Sequence, residues 1–113
     1  MIFTDPLKSN QEFRTVYKNG RSYANSYLVV YLLENNTDRN RLGISVSKKV
    51  GNSVVRHRLK RLIKESYRLH ENMFNSGLNI VAIARVGAGK ADYHQIESAL
   101  LHLMRLHNAL IIR

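Results

Sequence analysis

The chain has no cysteine, no tryptophan and a single proline, and only eight of its 113 residues are acidic. Without cysteine there is no disulfide, no thiol nucleophile and no cysteine-based zinc site, which closes several enzyme classes at once. No stretch approaches the run of about 20 apolar residues that spans a bilayer. The opening residues, Met1 to Pro6, lack the basic flank and apolar stretch of a secretory signal. These absences predict a cytoplasmic protein with no membrane contact. The histidines at 57, 70, 94, 102 and 107 form no H-E-x-x-H spacing. The acids Asp5, Glu12, Glu34, Asp38, Glu65, Glu71, Asp92 and Glu97 are dispersed, with no paired carboxylates for a two-metal nuclease. A Gly-rich phosphate loop and a serine nucleophile motif are missing too. No catalytic residue and no metal site are therefore assigned to the protein.

What the chain does have is positive charge. Eighteen Lys and Arg against eight Asp and Glu give +10 and a pI near 10.3, the electrostatic footprint of a polyanion binder. Nucleic acid is the leading partner, and a generically basic soluble protein is the plain alternative. The length and the 44% hydrophobic content fit one domain over residues 1–113 with a single core.

Local patterns lay out the elements. Ser9-Asn10-Gln11-Glu12 has the form of a capping box and opens a helix carrying Phe13, Val16 and Tyr17 on one face. That helix should stop at Asn19-Gly20, where glycine accommodates a left-handed cap. Arg21 to Leu33 is rich in β-branched and aromatic residues and reads as two strands broken near Asn25-Ser26. Glu34 to Asp38 reads as a turn. In Arg41 to Ser47 the alternation points Leu42, Ile44 and Val46 to the core. Val50 to Ser53 supplies a turn and helix caps, and a helix runs from there to about Glu71. Ile80 to Ala84 suits a strand buried on both faces. Gly87-Ala88-Gly89 is a loop, Asp92 to Gln95 a cap, and Ile96, Ala99, Leu100, Leu103, Met104 and His107 mark one face of a last helix.

The middle helix is the informative one. At about 100° per residue, Val55, Leu59, Leu62 and Ile63 fall on one side, and His57, Lys60, Arg61, Lys64 and Arg68 lie nearly opposite. Arg56 and Arg58 occupy the shoulders. From Lys48 to Arg68 there are eight basic residues and one acid, Glu65. A merely solvated face mixes signs for i, i+4 pairing, and this one scarcely does. Crowded like charges lower the helix's own stability, a loss that an anionic partner reverses. Lys48-Lys49, ahead of a turn and a helix N-terminus, suits phosphate oxygens.

The run from Gly43 to Glu65, GISVSKKVGNSVVRHRLKRLIKE, closely resembles the signature of bacterial ribonuclease P proteins. The likeness extends to the first helix with Phe13 and Tyr17, the strand with Tyr31, the strand from Asn79 to Arg85 and the last helix, so it covers essentially the whole chain. His57 stands where the family's Arg-Asn-Arg core usually has Asn, and the flanking arginines are intact.

The resemblance implies an α+β two-layer sandwich: helix, three strands, basic helix, strand, helix. It also implies a left-handed β-α-β crossover through the basic helix, against the usual right-handed rule. It implies a subunit of the ribonuclease P endoribonuclease, whose catalytic RNA does the chemistry with magnesium and whose substrate is precursor tRNA; DNA is not an expected partner. Lys48, Lys49, Asn52, Arg56, Arg58, Lys60, Arg61, Lys64 and Arg68 would bind the catalytic RNA. Phe13, Tyr17 and Tyr31, with Lys48, Arg56 and Arg85, would receive the 5′ leader. Aromatics can stack single-stranded bases, although spacing alone favours core packing for each of the three, and only the resemblance reverses that preference. Tyr23, Tyr27, Tyr67 and Tyr93 are read as structural. A ribosomal or RNA-assembly protein is the alternative function, and a helix-turn-helix DNA binder is disfavoured because a strand leads into the basic helix.

Overall fold

The computed structural model describes residues 1–111. Its elements, in order, are β1 (Thr4–Pro6), α1 (Asn10–Asn19), β2 (Arg21–Ala24), β3 (Leu28–Glu34), β4 (Asn40–Ser45), α2 (Ser53–His70), β5 (Leu78–Ala84) and α3 (Tyr93–Leu106). Short 3-10 turns follow α2 and β5. The five strands form one sheet in the order β1-β4-β5-β3-β2. β3 runs antiparallel to β2 and β5, whereas β4 is parallel to both β1 and β5. The parallel neighbours β4 and β5 are joined through α2, a β-α-β connection.

The period-two alternation of the strands sorts their side chains onto two faces. Leu28, Val30 and Leu32 of β3 and Leu78, Ile80 and Ala82 of β5 pack beneath α2 and α3. Sheet and helix pair make the two layers. From α2 come Leu59, Ile63 and Tyr67, and from α3 come Ile96, Leu100, Leu103 and Met104, all fully buried. On the opposite face Tyr31, Leu33, Val81 and Ile83 gather around Val16 of α1 and Leu7. β5 is thus central and covered on both sides, which is why its sequence is a continuous apolar run.

α1 is short and buries only Val16 completely. Full burial of one such side chain contributes about 1.5–3 kcal/mol, whereas fixing the backbone opposes folding by about 1–2 kcal/mol per residue. Further ties hold it. The predicted capping box is formed, with Ser9 accepting from the Glu12 amide and Glu12 accepting from the Ser9 amide. Glu12 also meets Arg41 of β4, Nη1 to Oε2 at 2.5 Å.

Two expectations need correction. Gly20 does not adopt a left-handed cap; its φ is −82°. Glycine is required there because a Cβ would stand 2.6 Å from the Val16 carbonyl oxygen and 2.9 Å from that of Leu32. The strand β1 was not legible either. At three residues with Pro6 at its end, it has no periodicity to read, and proline is tolerated because this is a sheet edge. β1 is fixed from elsewhere: buried Glu71 accepts from the amides of Ile2 (2.7 Å) and Phe3 (3.1 Å) and from the Thr4 hydroxyl (2.5 Å).

Candidate RNA interface

Asn52 caps α2 by accepting from the Val55 amide at 3.0 Å. The helix then presents its apolar stripe inward, with Leu59 and Ile63 fully buried and Val55 and Leu62 at the margin of the core. Ser66 and Tyr67 continue that stripe. His57, Lys60, Arg61, Lys64 and Arg68 are exposed, as the helical wheel predicts. His57, Lys60, Arg61 and Lys64 border one open hollow of about 1090 Å³ beside Ile44.

The basic residues of this region have unlike surroundings. Arg58 is half-buried, and its guanidinium donates to the carbonyls of Ala91 (2.7 Å) and Gly89 (2.6 Å). It therefore clasps the loop that leads into α3. Arg68 is ion-paired with Glu65 one turn away. Arg56 is half-buried, and its Nε has no protein partner among the described residues. Lys48 and Lys49 are exposed in the turn after β4.

Phe13, Tyr17 and Tyr31 come together. Phe13 and Tyr17 have ring centroids 6.3 Å apart, and Tyr17 meets Tyr31 edge-on at 5.0 Å. None is a core residue: Phe13 and Tyr31 are half-buried and Tyr17 is 37% exposed. Burial raises the pKa of the Tyr17 phenol above its ordinary value, against the opposing effect of a hydrogen bond with Ser45. Phe13 and Tyr17 line a groove of about 570 Å³ together with Arg14, Ser45, Val46 and Lys60. On the same face Ile83, which joins the apolar cluster of Tyr31, borders a second hollow that holds Lys49 and Arg85. Arg85 is steadied there by donating to the Asn25 carbonyl at 2.8 Å.

Sequence reasoning assigned Lys60 to the helix surface alone, yet its side chain borders both the basic hollow and the aromatic groove. It also missed Arg14 and Ser45. Arg14 could have been found as a cation three residues before Tyr17 on an exposed helix, and Ser45 as the polar partner in the alternation of β4. Among the described residues, no three His, Cys, Asp or Glu side chains come together as a metal-binding group. No helix among them is long and apolar enough to cross a membrane.

A small α+β scaffold with a one-sided basic helix beside an aromatic groove defines the class of a compact RNA-binding protein. The chain matches the Ribonuclease P family model over residues 3–107. It is 60% identical over 104 residues to the ribonuclease P protein component of Lachnoclostridium phytofermentans, covering 92% of this chain and 90% of that one. Against the corresponding protein of Alkaliphilus metalliredigens it is 58% identical, covering 93% and 95%. The solved RNase P protein of Staphylococcus aureus superposes with a TM-score of 0.87 at 38% identity, covering 94% of this chain and 97% of that one. That of Thermotoga maritima superposes with a TM-score of 0.82 at 32% identity, covering 89% and 96%. The chain belongs to the ribonuclease P protein family. It is a protein subunit of the ribonucleoprotein that matures tRNA 5′ ends, and ribonuclease P RNA is its partner.

Proposed function

We propose that the chain acts as one RNA-binding domain over residues 1–113 with two adjoining surfaces. The exposed face of α2, through Lys60, Arg61 and Lys64 with Lys48, Lys49 and the Asn52 turn, binds the catalytic RNA through phosphates. The groove of Phe13, Tyr17 and Tyr31 receives the 5′ leader of precursor tRNA, with Lys48, Arg56 and Arg85 on its phosphates. The observation that carries this reading is the partly exposed aromatic trio with Lys60 beside Phe13 and Tyr17: rings accept bases of any identity, and a cation beside them suits the backbone. Arg58 and Arg68 contribute less to RNA, because one holds two carbonyls and the other a carboxylate.

The chemistry belongs to the RNA, and the protein alone cleaves nothing. Magnesium is assigned to the RNA as well. Several acids of this chain are committed elsewhere: Glu12 and Asp92 to helix caps, Asp5 to Arg39, Glu65 to Arg68, and Glu71 to the N-terminal amides. By supplying cations, the protein offsets phosphate repulsion between catalytic RNA and substrate, and so lowers the magnesium requirement. The working compartment is the cytoplasm and DNA is not a ligand.

Reconstitution with ribonuclease P RNA tests the reading. Phe13→Ala or Tyr17→Ala should weaken binding of leader-bearing tRNA by about 1–3 kcal/mol per lost stack and leave leader-free tRNA nearly untouched. Equal losses toward both RNAs, with a lowered melting temperature, would retire the groove as a leader site.

A further inference from the structure

The face of β4 turned toward α1 presents Arg41, Gly43 and Ser45 at the period-two spacing of a strand. Each meets a residue of α1. Arg41 holds Glu12, Gly43 lies beneath Phe13, and Ser45 borders the groove beside Tyr17. The middle contact is the tight one. A Cβ at position 43 would stand 2.5 Å from Cζ and 2.7 Å from Cε1 of Phe13, and 3.2 Å from Cδ1 of Leu7. Carbon atoms attract one another only at about 3.5–4.0 Å. Gly43 has no positive φ, so backbone freedom does not explain the glycine. A glycine inside a strand also marks close approach by another group, and here that group is an aromatic ring lying on the strand.

The ring has little room to retreat. Glu12, its neighbour, is fixed by Arg41 and by the capping box with Ser9. Val16, three residues on, is fully buried in the same cluster as Val81. A side chain at position 43 would push the ring into the groove or lift α1, and Tyr17, on the same helical face, would move relative to Tyr31.

We propose that Gly43 is a positioning residue for substrate binding. Its missing side chain sets the height at which Phe13 rests on the sheet, and so the width of the groove offered to single-stranded RNA. This rests on the reading of the groove as the leader's seat.

Four proteins test it: wild type, Gly43→Ala, Phe13→Leu and the double variant, each reconstituted with ribonuclease P RNA. Thermal midpoint and affinity for leader-bearing and leader-free tRNA are measured for all four. Gly43→Ala alone should weaken leader-bearing tRNA about tenfold, within the range of one lost stack, and spare leader-free tRNA. Added to Phe13→Leu, which removes the obstructing ring atoms, it should have no further effect. An equal loss from Gly43→Ala in both backgrounds overturns the proposal, as does an equal loss toward both tRNAs. If Gly43→Ala alone fails to fold, a folded double variant supports the seat and an unfolded one overturns it. Should Phe13→Leu leave leader affinity unchanged, the leader reading fails by itself. The coupling of the two substitutions in the thermal midpoint then supports the seat if present and overturns it if absent.

Discussion

Arg58 and Lys60 lie two positions apart in one basic run, yet their side chains have different duties. Arg58 spans the carbonyls of Gly89 and Ala91 with two donors, a geometry that one lysine ammonium cannot reproduce. Arg58→Lys should therefore resemble Arg58→Ala: a loss of about 1–3 kcal/mol in urea unfolding from unpaired, partly buried carbonyls, with the salt slope of RNA binding nearly unchanged. A reduced slope with intact stability would return Arg58 to phosphate contact. His107 supplies a pH-dependent case. It is buried at the end of α3, donates Nε2–H to the Val30 carbonyl at 2.7 Å, and stacks edge-on with Tyr23. Burial holds its pKa below the ordinary imidazole value, outweighing that hydrogen bond. The unfolded chain takes up the proton first, near its ordinary pKa of about 6.5, so stability falls as pH drops from there toward the lower folded value. In melts across about pH 7 to 5, His107→Gln should start lower and vary less with pH than wild type. Parallel profiles would show that His107 is not the sensor.

At the scale of elements, α2 separates its labours by face. Its stripe of Leu59, Ile63 and Tyr67 holds the fold, while Lys60 and Arg61 are exposed. Lys60→Ala with Arg61→Ala should lower the slope of log affinity against log salt by about one counterion per lost contact and leave the thermal midpoint in place. An unchanged slope would remove both from the RNA surface. The helices were legible because each has a period and a cap, namely the S-x-x-E box, the asparagine before α2 and the Asp92–Gln95 box, and the long strands because of their alternation or continuous apolar run. β1 was not, since three residues paired with a strand 36 positions away carry no local signal.

At the scale of the molecule, most of the acids hold the structure, whereas Lys48, Lys49, Lys60, Arg61 and Lys64 lie exposed on α2 and its preceding turn. Asp5 pairs with Arg39, Glu12 with Arg41 and Glu65 with Arg68, so the excess of +10 is weighted toward the surface of α2 and its preceding turn. Glu71 is the buried member of this set and joins the N-terminal segment to the end of α2. Burial pushes its pKa up, but the Thr4 hydroxyl and the amides of Ile2 and Phe3 outweigh that and hold it below the ordinary glutamate value. A depressed folded value means stability present above the ordinary glutamate range and lost as pH falls through the folded pKa. Glu71→Gln should destabilise by about 1.5–3 kcal/mol near neutral pH, and the gap from wild type should close on acidification. A gap independent of pH would assign the effect to packing.

The sequence by itself determined the charge, the exclusion of thiol chemistry and cysteine-based zinc sites, most element types and the apolar stripe of each helix. These are local properties, written within a few residues of one another. It also carried the family signature from Gly43 to Glu65. Tertiary structure decided what those residues touch. Spacing alone favoured Phe13, Tyr17 and Tyr31 as core residues, and only the meeting of α1 with β3 and β4 brings their rings together, partly open, with Phe13 and Tyr17 lining the groove. The wheel put Arg58 on a shoulder of α2 and could not foresee the carbonyls of Gly89 and Ala91, more than thirty positions along the chain. Gly43 opens the family signature with no role legible in its own segment, and only the fold lays Phe13 on it. Side-chain contacts between distant segments depend on how the backbones approach, and no periodicity in one segment encodes the position of another.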